Sequence, residues 1–315
     1  MAEVAFDEMV RAHRRELLLH CYRLLGSLTE AEDVLQETLL AAWRGLGGFE
    51  GRASPRSWLY RIATNRCLNA IRDRARRVPA APVPPFVPPE PSRRNDVGWL
   101  QPYPDALLER VPDARSGPET RYTTRETVEL AFITALQRIP PRQAAVLVLR
   151  DVLGYPLGEA GAMIDTTPTA AKGLLQRARA ALASGRRAVP PAPGSAPERL
   201  LAGRFAEAFV ADDVDALLEL LTDDAWLSMP PAPHEYHGPD RVVAFLRASA
   251  AWRQSQRLRP RLRPTRANGQ PAYVYHLDDR PAGLIVLTLT ADRVQGITRF
   301  LDVEVLRPFD EPAAR

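Results

Sequence analysis

The sequence predicts a multidomain protein in which two all-α helical domains precede one α+β domain. Apolar residues recur at helical spacing in two blocks before residue 190, and proline-rich chain separates those blocks. Beyond a second proline-rich stretch, helical patterns give way to several short strand patterns, an order typical of α+β domains. The chain has 315 residues, 45% of them hydrophobic, which is enough for two or three domains with cores of their own.

Prolines and changes in composition set the predicted domain boundaries. Seven prolines between Pro79 and Pro91 disfavour helix and favour an extended path. The predicted segments are a helical domain at 1–77, a linker at 78–120, a second helical domain at 121–189, a linker at 190–197, the α+β domain at 198–308 and a tail at 309–315.

The basic residues are concentrated in the two helical blocks. Lysine plus arginine outnumber aspartate plus glutamate by 13 to 10 in residues 1–77 and by 10 to 5 in residues 121–189. Residues 197–315 carry 15 basic and 17 acidic side chains. This distribution favours nucleic-acid contact through the N-terminal two-thirds of the chain. Lys172 is the sole lysine, which we attribute to genome composition.

Cysteine usage and hydropathy predict an intracellular protein without a metal. Cys21 and Cys67 lie among apolar neighbours and lack metal-ligand spacing with histidine, so we expect buried thiols in a reducing cytoplasm and no cofactor. The sequence has no signal peptide and no apolar run of 18 residues, so membrane insertion is not expected.

The first block contains a predicted helix from Thr29 to Arg44. Thr29 and Glu32 fit a capping box, which would start this helix. Its core stripe consists of Ala31, Val34, Leu35, Thr38, Leu39 and Ala42. The opposite face carries Asp33, Gln36, Glu37 and Leu40. Because Leu40 lies among acids and amides, this face is predicted to dock on another protein.

A second helix follows within the segment from Phe49 to Arg77. Eight arginines and two acids lie between Glu50 and Arg77. The outer face of this helix is predicted to carry Arg61, Thr64, Asn65, Asn69 and Arg72. Asparagines between arginines suit base-edge contacts within a phosphate-binding surface.

The second block has the pattern of a helix-turn-helix. One helix begins at Pro140-Pro141, a short helix follows Pro156, and Thr167 caps a third helix that has Pro168 at its first position. The outward residues of the third helix are Thr169, Lys172, Gly173, Gln176 and Arg177, with Arg179 beside them. Asp165 places a negative charge in the turn, near where phosphates would lie.

The last block predicts helices at 200–211, 214–222 and 241–251. Strands are predicted at 225–229, 273–277, 283–290 and 294–300.

The two helical blocks are similar to a known family. The segments "EDVLQET" and "WLYRIATN" resemble region 2 of the extracytoplasmic-function (ECF) sigma factors, bacterial initiation subunits of RNA polymerase. The segment "ALQRIPPRQAAVLVLRDVLG", followed by "LLQRARAAL", resembles sigma region 4. Relative to that family, the small Ala160-Gly161 pair suggests looser packing between the helices of the helix-turn-helix.

This resemblance implies a role for each outward face. The face of Asp33, Gln36, Glu37 and Leu40 would bind core RNA polymerase. The face of Arg61, Thr64, Asn65, Asn69 and Arg72 would melt and read the minus-ten element of promoter DNA, with Asn65 at the position that cradles a flipped base. Thr169, Lys172, Gly173, Gln176 and Arg177 would dock the minus-thirty-five element. The linker would thread the polymerase cleft; alternatively, its Trp99 and Tyr103 cover a nearby core.

The C-terminal block resembles the SnoaL-like, nuclear-transport-factor-2-like fold, a cone of helices against a curved sheet. The resemblance rests on "LLAGRFAEAFVADDVDALLELLTDDAW" and the residues that follow. Such a cone could gather Trp226, His234, Tyr236, His237, Tyr275 and His276 into one ligand pocket. Three roles stay open for this domain: catalysis by histidine and aspartate, binding of a small ligand, and packing with regulation.

The sequence therefore predicts a sigma factor that is not itself an enzyme and whose C-terminal domain acts on it in cis. A separate anti-sigma factor is a further candidate partner. One alternative is a metabolite-sensing helix-turn-helix regulator that is independent of polymerase. Another is a SnoaL-type isomerase or cyclase with a DNA-binding appendage.

Overall fold

A computed structural model describes residues 2–49, 51, 53–74, 84–94, 97–109, 111, 126–182 and 190–309. The chain divides into two units, one of residues 1–78 and 106–186 and the other of residues 79–105 and 187–315. The fold class agrees with the prediction, because helices make up the first unit and a seven-stranded sheet with helices makes up the second. None of the described helices is both long and apolar enough to span a membrane.

The first unit begins with three helices that pack on one another. They are α1 (Ala2–Leu25), α2 (Leu28–Gly45) and α3 (Pro55–Arg74). The prediction that Thr29 caps α2 is wrong. Ser27 has extended backbone and its hydroxyl accepts a hydrogen bond from the Glu30 amide at 3.3 Å, so the helix begins before Thr29.

The core between these helices matches the predicted stripes. Ala31, Val34 and Leu35 of α2 are buried, as predicted from their helical spacing. Both cysteines are also buried, as expected, and burial raises the pKa of the Cys67 thiol well above its usual value.

The rest of the first unit forms the predicted helix-turn-helix. A single helical turn, α4 (Asp105–Leu108), comes before it in the chain. The helices of the helix-turn-helix domain are α5 (Leu130–Arg138), α6 (Pro141–Leu147), α7 (Leu157–Met163) and α8 (Pro168–Leu182). The continuation of α6, Val148–Val152, winds as a π-helix. Thr167 caps α8 as predicted, because its hydroxyl accepts a hydrogen bond from the Ala170 amide at 3.2 Å. Residues 183–189, which follow α8, lie outside the described chain.

Close packing, rather than the expected loose packing, joins α7 to α8. A Cβ on Gly161 would lie 3.2 Å from the Ala171 Cβ and 3.3 Å from the Thr166 carbonyl oxygen. The glycine therefore lets the two helices approach closely, and the expectation of looser packing is wrong.

In its described residues the second unit has three α-helices on a seven-stranded sheet, followed by a 3₁₀ helix at Val303–Phe309. The helices are α9 (Ala196–Val210), α10 (Val214–Leu220) and α11 (Pro239–Ser255). The strands are β1 (Arg93–Arg94), β2 (Leu221–Met229), β3 (Ala232–His237), β4 (Pro260–Ala267), β5 (Gln270–Leu277), β6 (Arg280–Leu289) and β7 (Val294–Phe300). Their order is β1-β3-β2-β7-β6-β5-β4, and only the β2–β7 pair is parallel among the described strands.

The sequence did not predict β3 or β4. β4 contains Pro260 and Pro264 together with three arginines, a composition that argues against a central strand. It lies at one edge of the sheet, where β5 is its neighbouring strand and Pro104 bridges its last residue, Ala267. Prolines are tolerated at such an edge because most of one side of the strand needs no partner.

Part of the predicted linker at 78–120 belongs to the fold of the second unit. Val97, Leu100 and Tyr103 are buried, and Tyr103 is only 1% exposed. The interpretation that this apolar island covers a nearby core agrees with these positions. We call residues 84–105, described at 84–94 and 97–105, the strap.

Candidate protein-binding and nucleic-acid-binding surfaces

The outer face of α2 is polar with an apolar centre. Asp33, Gln36, Glu37 and Leu40 are all exposed, and Leu40 is 49% exposed. Trp43, which the sequence analysis missed, is 45% exposed and lies one turn beyond Leu40. Its spacing of i+3 from Leu40 is the signal that could have revealed it. An exposed leucine and tryptophan ringed by acids and amides suit a protein partner with an apolar, basic surface.

A concave surface of about 460 Å³ lies between α2 and α3. Its lining residues are Ala41, Trp58, Arg61, Ile62, Asn65, Arg66 and Asn69. The Trp58 ring packs against Phe49 at a centroid distance of 4.8 Å. An aromatic and aliphatic floor with arginine and asparagine at the rim can accept a flat base and its phosphates. The exposed Arg72 lies beyond this concavity on the same helix.

Thr64 does not belong to this surface, contrary to the prediction. It is fully buried, and its hydroxyl donates to the Tyr60 carbonyl oxygen at 2.7 Å. The Thr64 hydroxyl oxygen also lies 2.9 Å from His20 Nε2. Burial, with smaller contributions from Arg23 and Arg56, lowers the pKa of His20 to about 3, so the neutral ring donates this hydrogen bond.

Arg56, which the sequence analysis also missed, connects α3 to the helix-turn-helix. Its guanidinium forms a bidentate pair with Glu16 of α1 at 3.0 to 3.1 Å. It lies 4.8 Å from the centre of the Tyr60 ring and donates to the Tyr155 hydroxyl at 3.1 Å. No sequence pattern indicates this cluster, because its members come from positions 16, 56, 60 and 155.

The exposed face of α8 carries the predicted polar residues. Thr169, Lys172, Gln176 and Arg177 are exposed, and Gly173 is half-buried among them. A Cβ on Gly173 would meet only the Arg177 side chain, at an ordinary 3.5 Å, so nothing described within the protein requires a glycine there.

Arg179, named beside that face, has a different role. Its guanidinium donates to both carboxylate oxygens of the fully buried Asp151, at 2.6 and 2.8 Å. Arg179 therefore stabilises the helix-turn-helix, because it compensates a buried charge.

Two residues of the α3 surface also contact the turn of the helix-turn-helix within the first unit. Arg61 Nη2 lies 3.0 Å from Asp165 Oδ1. Asn65 Nδ2 donates to the Met163 carbonyl oxygen at 3.1 Å.

The six residues predicted to share one pocket in the second unit lie on both faces of its sheet. Tyr236 and Tyr275 belong to the buried core under the helices. Trp226 packs across Gly296 on the other face, opposite His237 in the β2–β3 register. Because neighbouring residues of a strand point to opposite faces, His276 and Tyr275 point apart, and His237 and Tyr236 do too. His234 lies two residues before Tyr236 on β3, so strand alternation places both on the same face. The predicted single pocket is therefore not formed.

The interior of the second unit holds two buried arginines that the sequence analysis missed. Arg299 of β7 lies 5.3 to 5.9 Å from the ring centres of Phe209, Phe245 and Tyr275. Burial lowers the pKa of Arg299 to about 10, and the charge of Arg253 adds to this effect. Arg253 pairs with Asp212 and donates to the Ser249 hydroxyl at 2.9 Å.

The strap is attached to the second unit along its length. Phe86 packs against Phe245 with ring centres 5.5 Å apart, and the Tyr236 hydroxyl donates to the Pro89 carbonyl oxygen at 2.9 Å. β1 then pairs with β3, where Arg93 forms an ion pair with Glu235.

The end of the strap is held by hydrogen bonds to the β4–β5 turn. Tyr103 N donates to Asn268 Oδ1 at 2.9 Å, and Asn268 N donates to the Tyr103 carbonyl oxygen at 2.8 Å. The Asp105 carboxylate accepts from Arg266 Nε at 3.1 Å and from the Gly269 amide at 2.8 Å.

Comparison with known families finds matches for three segments of the chain. Residues 9–77 match Sigma-70 region 2, residues 129–182 match Sigma-70 region 4, and residues 202–299 match a SnoaL-like domain. Among the residues that the structure describes, no group of histidine, cysteine, aspartate and glutamate could hold a metal ion.

Similar proteins come from Mycobacterium tuberculosis. ECF RNA polymerase sigma factor SigG of strain H37Rv is 41% identical over 317 residues, which cover 98% of this chain and 84% of SigG. ECF RNA polymerase sigma factor SigJ is 29% identical over 251 residues, covering 78% of this chain and 72% of SigJ. The crystal structure of the extracytoplasmic-function sigma factor SigJ superposes with a TM-score of 0.61 at 19% identity, covering 94% of this chain and 96% of that one.

Proposed function

The chain belongs to the ECF RNA polymerase sigma factors, and we propose that its C-terminal domain controls its action at promoters. As a sigma factor it binds core RNA polymerase and promoter DNA and directs transcription initiation. Polymerase supplies the chemistry, so we assign no catalysis to this chain and expect it to act in the cytoplasm. A separate anti-sigma factor would be a further partner.

We assign polymerase binding to the face of Asp33, Gln36, Glu37 and Leu40, and add Trp43. Support comes from the joint exposure of an apolar centre and an acidic rim on one helix. The minus-ten contacts are assigned to Arg61, Asn65, Asn69 and Arg72, without the buried Thr64. The minus-thirty-five contacts are assigned to Thr169, Lys172, Gly173, Gln176 and Arg177, supported by the exposure of the four side chains other than Gly173 on α8.

Run-off transcription on genomic fragments tests this function directly. Core RNA polymerase with the full chain should start transcription at defined promoters, and core polymerase alone should not. Specific binding to duplex DNA that does not change on adding polymerase would instead favour the independent regulator. Turnover of a polyketide-like substrate would favour the enzyme.

The contacts of the strap support the proposal that the C-terminal domain controls the sigma factor in cis. It lies in sequence between regions 2 and 4, yet its hydrogen bonds, ion pair and buried rings are made with the C-terminal domain. The family resemblance implies that this linker enters the polymerase cleft during initiation. A linker held by the C-terminal domain is withheld from that path, so we propose that the domain restrains transcription until the strap is released.

A pair of matched substitutions tests the strap. Tyr236→Phe removes the hydrogen bond to Pro89, and Tyr273→Phe is the control because its hydroxyl donates at 2.7 Å to Ala202 within the domain. Combined with Phe86→Ala, Tyr236→Phe should raise run-off transcription at equal protein concentration. Tyr273→Phe should leave it unchanged. Equal transcription by all variants would remove the strap from control.

A further inference from the structure

The turn between α7 and α8 presents one carboxylate toward α3. Asp165 has a positive φ of 51°, a conformation in which aspartate and asparagine are tolerated better than most residues. The turn is fixed by hydrogen bonds from the Ile164 amide to the Gly161 carbonyl and from the Asp165 amide to the Ala162 carbonyl. Arg142 Nη2 also donates to the Ile164 carbonyl oxygen at 2.7 Å. The position of the Asp165 backbone is therefore set by the helix-turn-helix itself.

The groups that this turn contacts are the ones assigned to minus-ten DNA. Asp165 Oδ1 lies 3.0 Å from Arg61 Nη2, the distance at which a phosphate oxygen would bind the same guanidinium. The Asn65 amide, assigned to the edge of a flipped base, instead donates to the Met163 carbonyl oxygen at 3.1 Å. Both donors are thus occupied by acceptors of the helix-turn-helix.

A groove of about 480 Å³ is left beside these contacts. It is lined from α3 by Asn65, Leu68, Asn69 and Arg72, and from the other side by Pro140, Pro141, Arg142, Ile164, Asp165 and Leu174. A DNA strand on the outer face of α3 would meet the turn, so the strand and the turn exclude each other at Arg61.

We propose that Asp165 is an internal competitor of promoter DNA, whose carboxylate takes the place of a phosphate on Arg61. The inference rests on the proposed minus-ten role of Arg61 and Asn65. It is separate from the strap, whose contacts lie in the second unit. Promoter strands and the turn of region 4 compete for the same donors, so minus-ten binding requires the turn to leave α3.

The competition is weak enough to be reversible. Arg61 and Asp165 are 57% and 64% exposed, and exposed ion pairs are screened by water. Such a pair contributes at most about 1 kcal/mol, equivalent to roughly fivefold in affinity. Binding of polymerase and of both promoter elements can therefore displace the turn.

The experiment measures binding of a fluorescein-labelled single strand of twelve thymidines to the full chain by fluorescence anisotropy. Asp165→Asn removes the charge and keeps a residue that tolerates positive φ. Glu159→Gln makes the same charge change on α7 and is the matched control. Arg61→Ala is combined with Asp165→Asn to complete a double-mutant cycle. Circular dichroism verifies that each variant keeps its helix content.

We expect Asp165→Asn to bind the strand about fivefold more tightly, and Glu159→Gln to change binding by less than about twofold. Arg61→Ala should weaken binding. The double variant with Asp165→Asn should bind the strand no more tightly than Arg61→Ala alone. Equal gains from Asp165→Asn and Glu159→Gln, or a gain that persists without Arg61, would overturn the competition. If Arg61→Ala alone leaves binding unchanged, the minus-ten assignment of Arg61 fails, and the inference fails with it for that distinguishable reason.

Discussion

Buried polar side chains explain why Arg61 and Thr64, one helical turn apart on α3, have different roles. Thr64 is held inside by His20, 44 positions earlier in the chain, whereas the Arg61 side chain is exposed and pairs with the exposed Asp165. The outer face of α3 could be predicted from helical spacing, since that spacing is local. The burial of Thr64 could not, because it depends on a distant residue of another helix.

The depressed pKa of His20 predicts that acid destabilises the first unit. In the unfolded chain His20 has an ordinary pKa near 6.5, but in the fold it stays neutral down to about 3. Below pH 6.5 the unfolded state binds the extra proton, so stability falls as the pH drops toward 3. Compared with His20→Gln, the wild type should lose about 2 to 3 kcal/mol more between pH 7 and pH 4.5.

This difference is measured by urea unfolding of wild type and His20→Gln at pH 7 and pH 4.5. Hydrogen exchange of the α1 amides reports the unfolding of the first unit. A pH dependence that is the same in wild type and His20→Gln would mean that His20 titrates normally in the fold.

The two buried arginines of the second unit should respond oppositely to removal of their charge. Arg299 is surrounded by aromatic rings and Ser249, with no carboxylate paired to it among the described residues, so Arg299→Met should be neutral or stabilising. Arg253→Met would leave Asp212 without its partner and should cost about 3 kcal/mol or more. Thermal unfolding of the two variants compares them. A large loss from Arg299→Met would mean that its charge stabilises the core.

At the level of elements, α8 with its Thr167 cap and the core stripe of α2 could be predicted from the sequence, whereas the Ser27 cap of α2 and the β4 strand were not. The caps, prolines and apolar stripes of a helix lie within a few residues of one another. The β4 strand exists because β5 offers it a ladder, and its prolines are compatible only with an edge that the sequence does not reveal.

The exposed face of α2 should be separable from folding. Asp33→Ala with Glu37→Ala changes side chains outside the core and should alter stability by less than about 0.5 kcal/mol. Co-purification with core RNA polymerase should nevertheless fall strongly. Glu32→Ala, an exposed acid of the same helix outside the assigned face, is the control and should bind normally. Unchanged binding by the double variant would show that the docking face is misassigned.

For α8, salt dependence separates phosphate contacts from structural arginines. Lys172→Ala and Arg177→Ala should each reduce the slope of log affinity against log salt by about one on an upstream-element duplex. Arg179→Ala should instead lower stability, because it leaves the buried Asp151 unpaired. Slopes that match wild type for both Lys172→Ala and Arg177→Ala would exclude phosphate contact.

At the scale of the whole molecule, the strap makes the linker depend on the C-terminal domain. Proline content predicted an extended path for this linker. The residues that hold it, such as Asn268 and Glu235, could not be foreseen, because they lie far along the chain. Truncation after Val189 removes these partners and should raise transcription on a cognate promoter at equal protein concentration.

The same truncation should expose the strap to protease. In the full chain the backbone of Arg93 and Arg94 is paired in β1, which should slow trypsin there. Without residues 190–315, cleavage after these arginines should become rapid. Equal cleavage rates in both chains would mean that the pairing opens freely.

A sheet that takes its edge strand from the linker between regions 2 and 4 also imposes an order of events on the ribosome. Arg93 emerges 142 residues before its partner Glu235, an interval on the order of ten seconds at ordinary rates of synthesis. Region 2 is complete before that interval begins and region 4 is completed within it, whereas β3 and the β4–β5 turn, which hold the strap, are made only at or after its end. The nascent protein therefore has an unrestrained linker, and restraint begins only when translation has passed β3 and the β4–β5 turn. Premature termination between residues 183 and 231 would release a fragment that has both promoter-binding regions and lacks the strands that hold the strap.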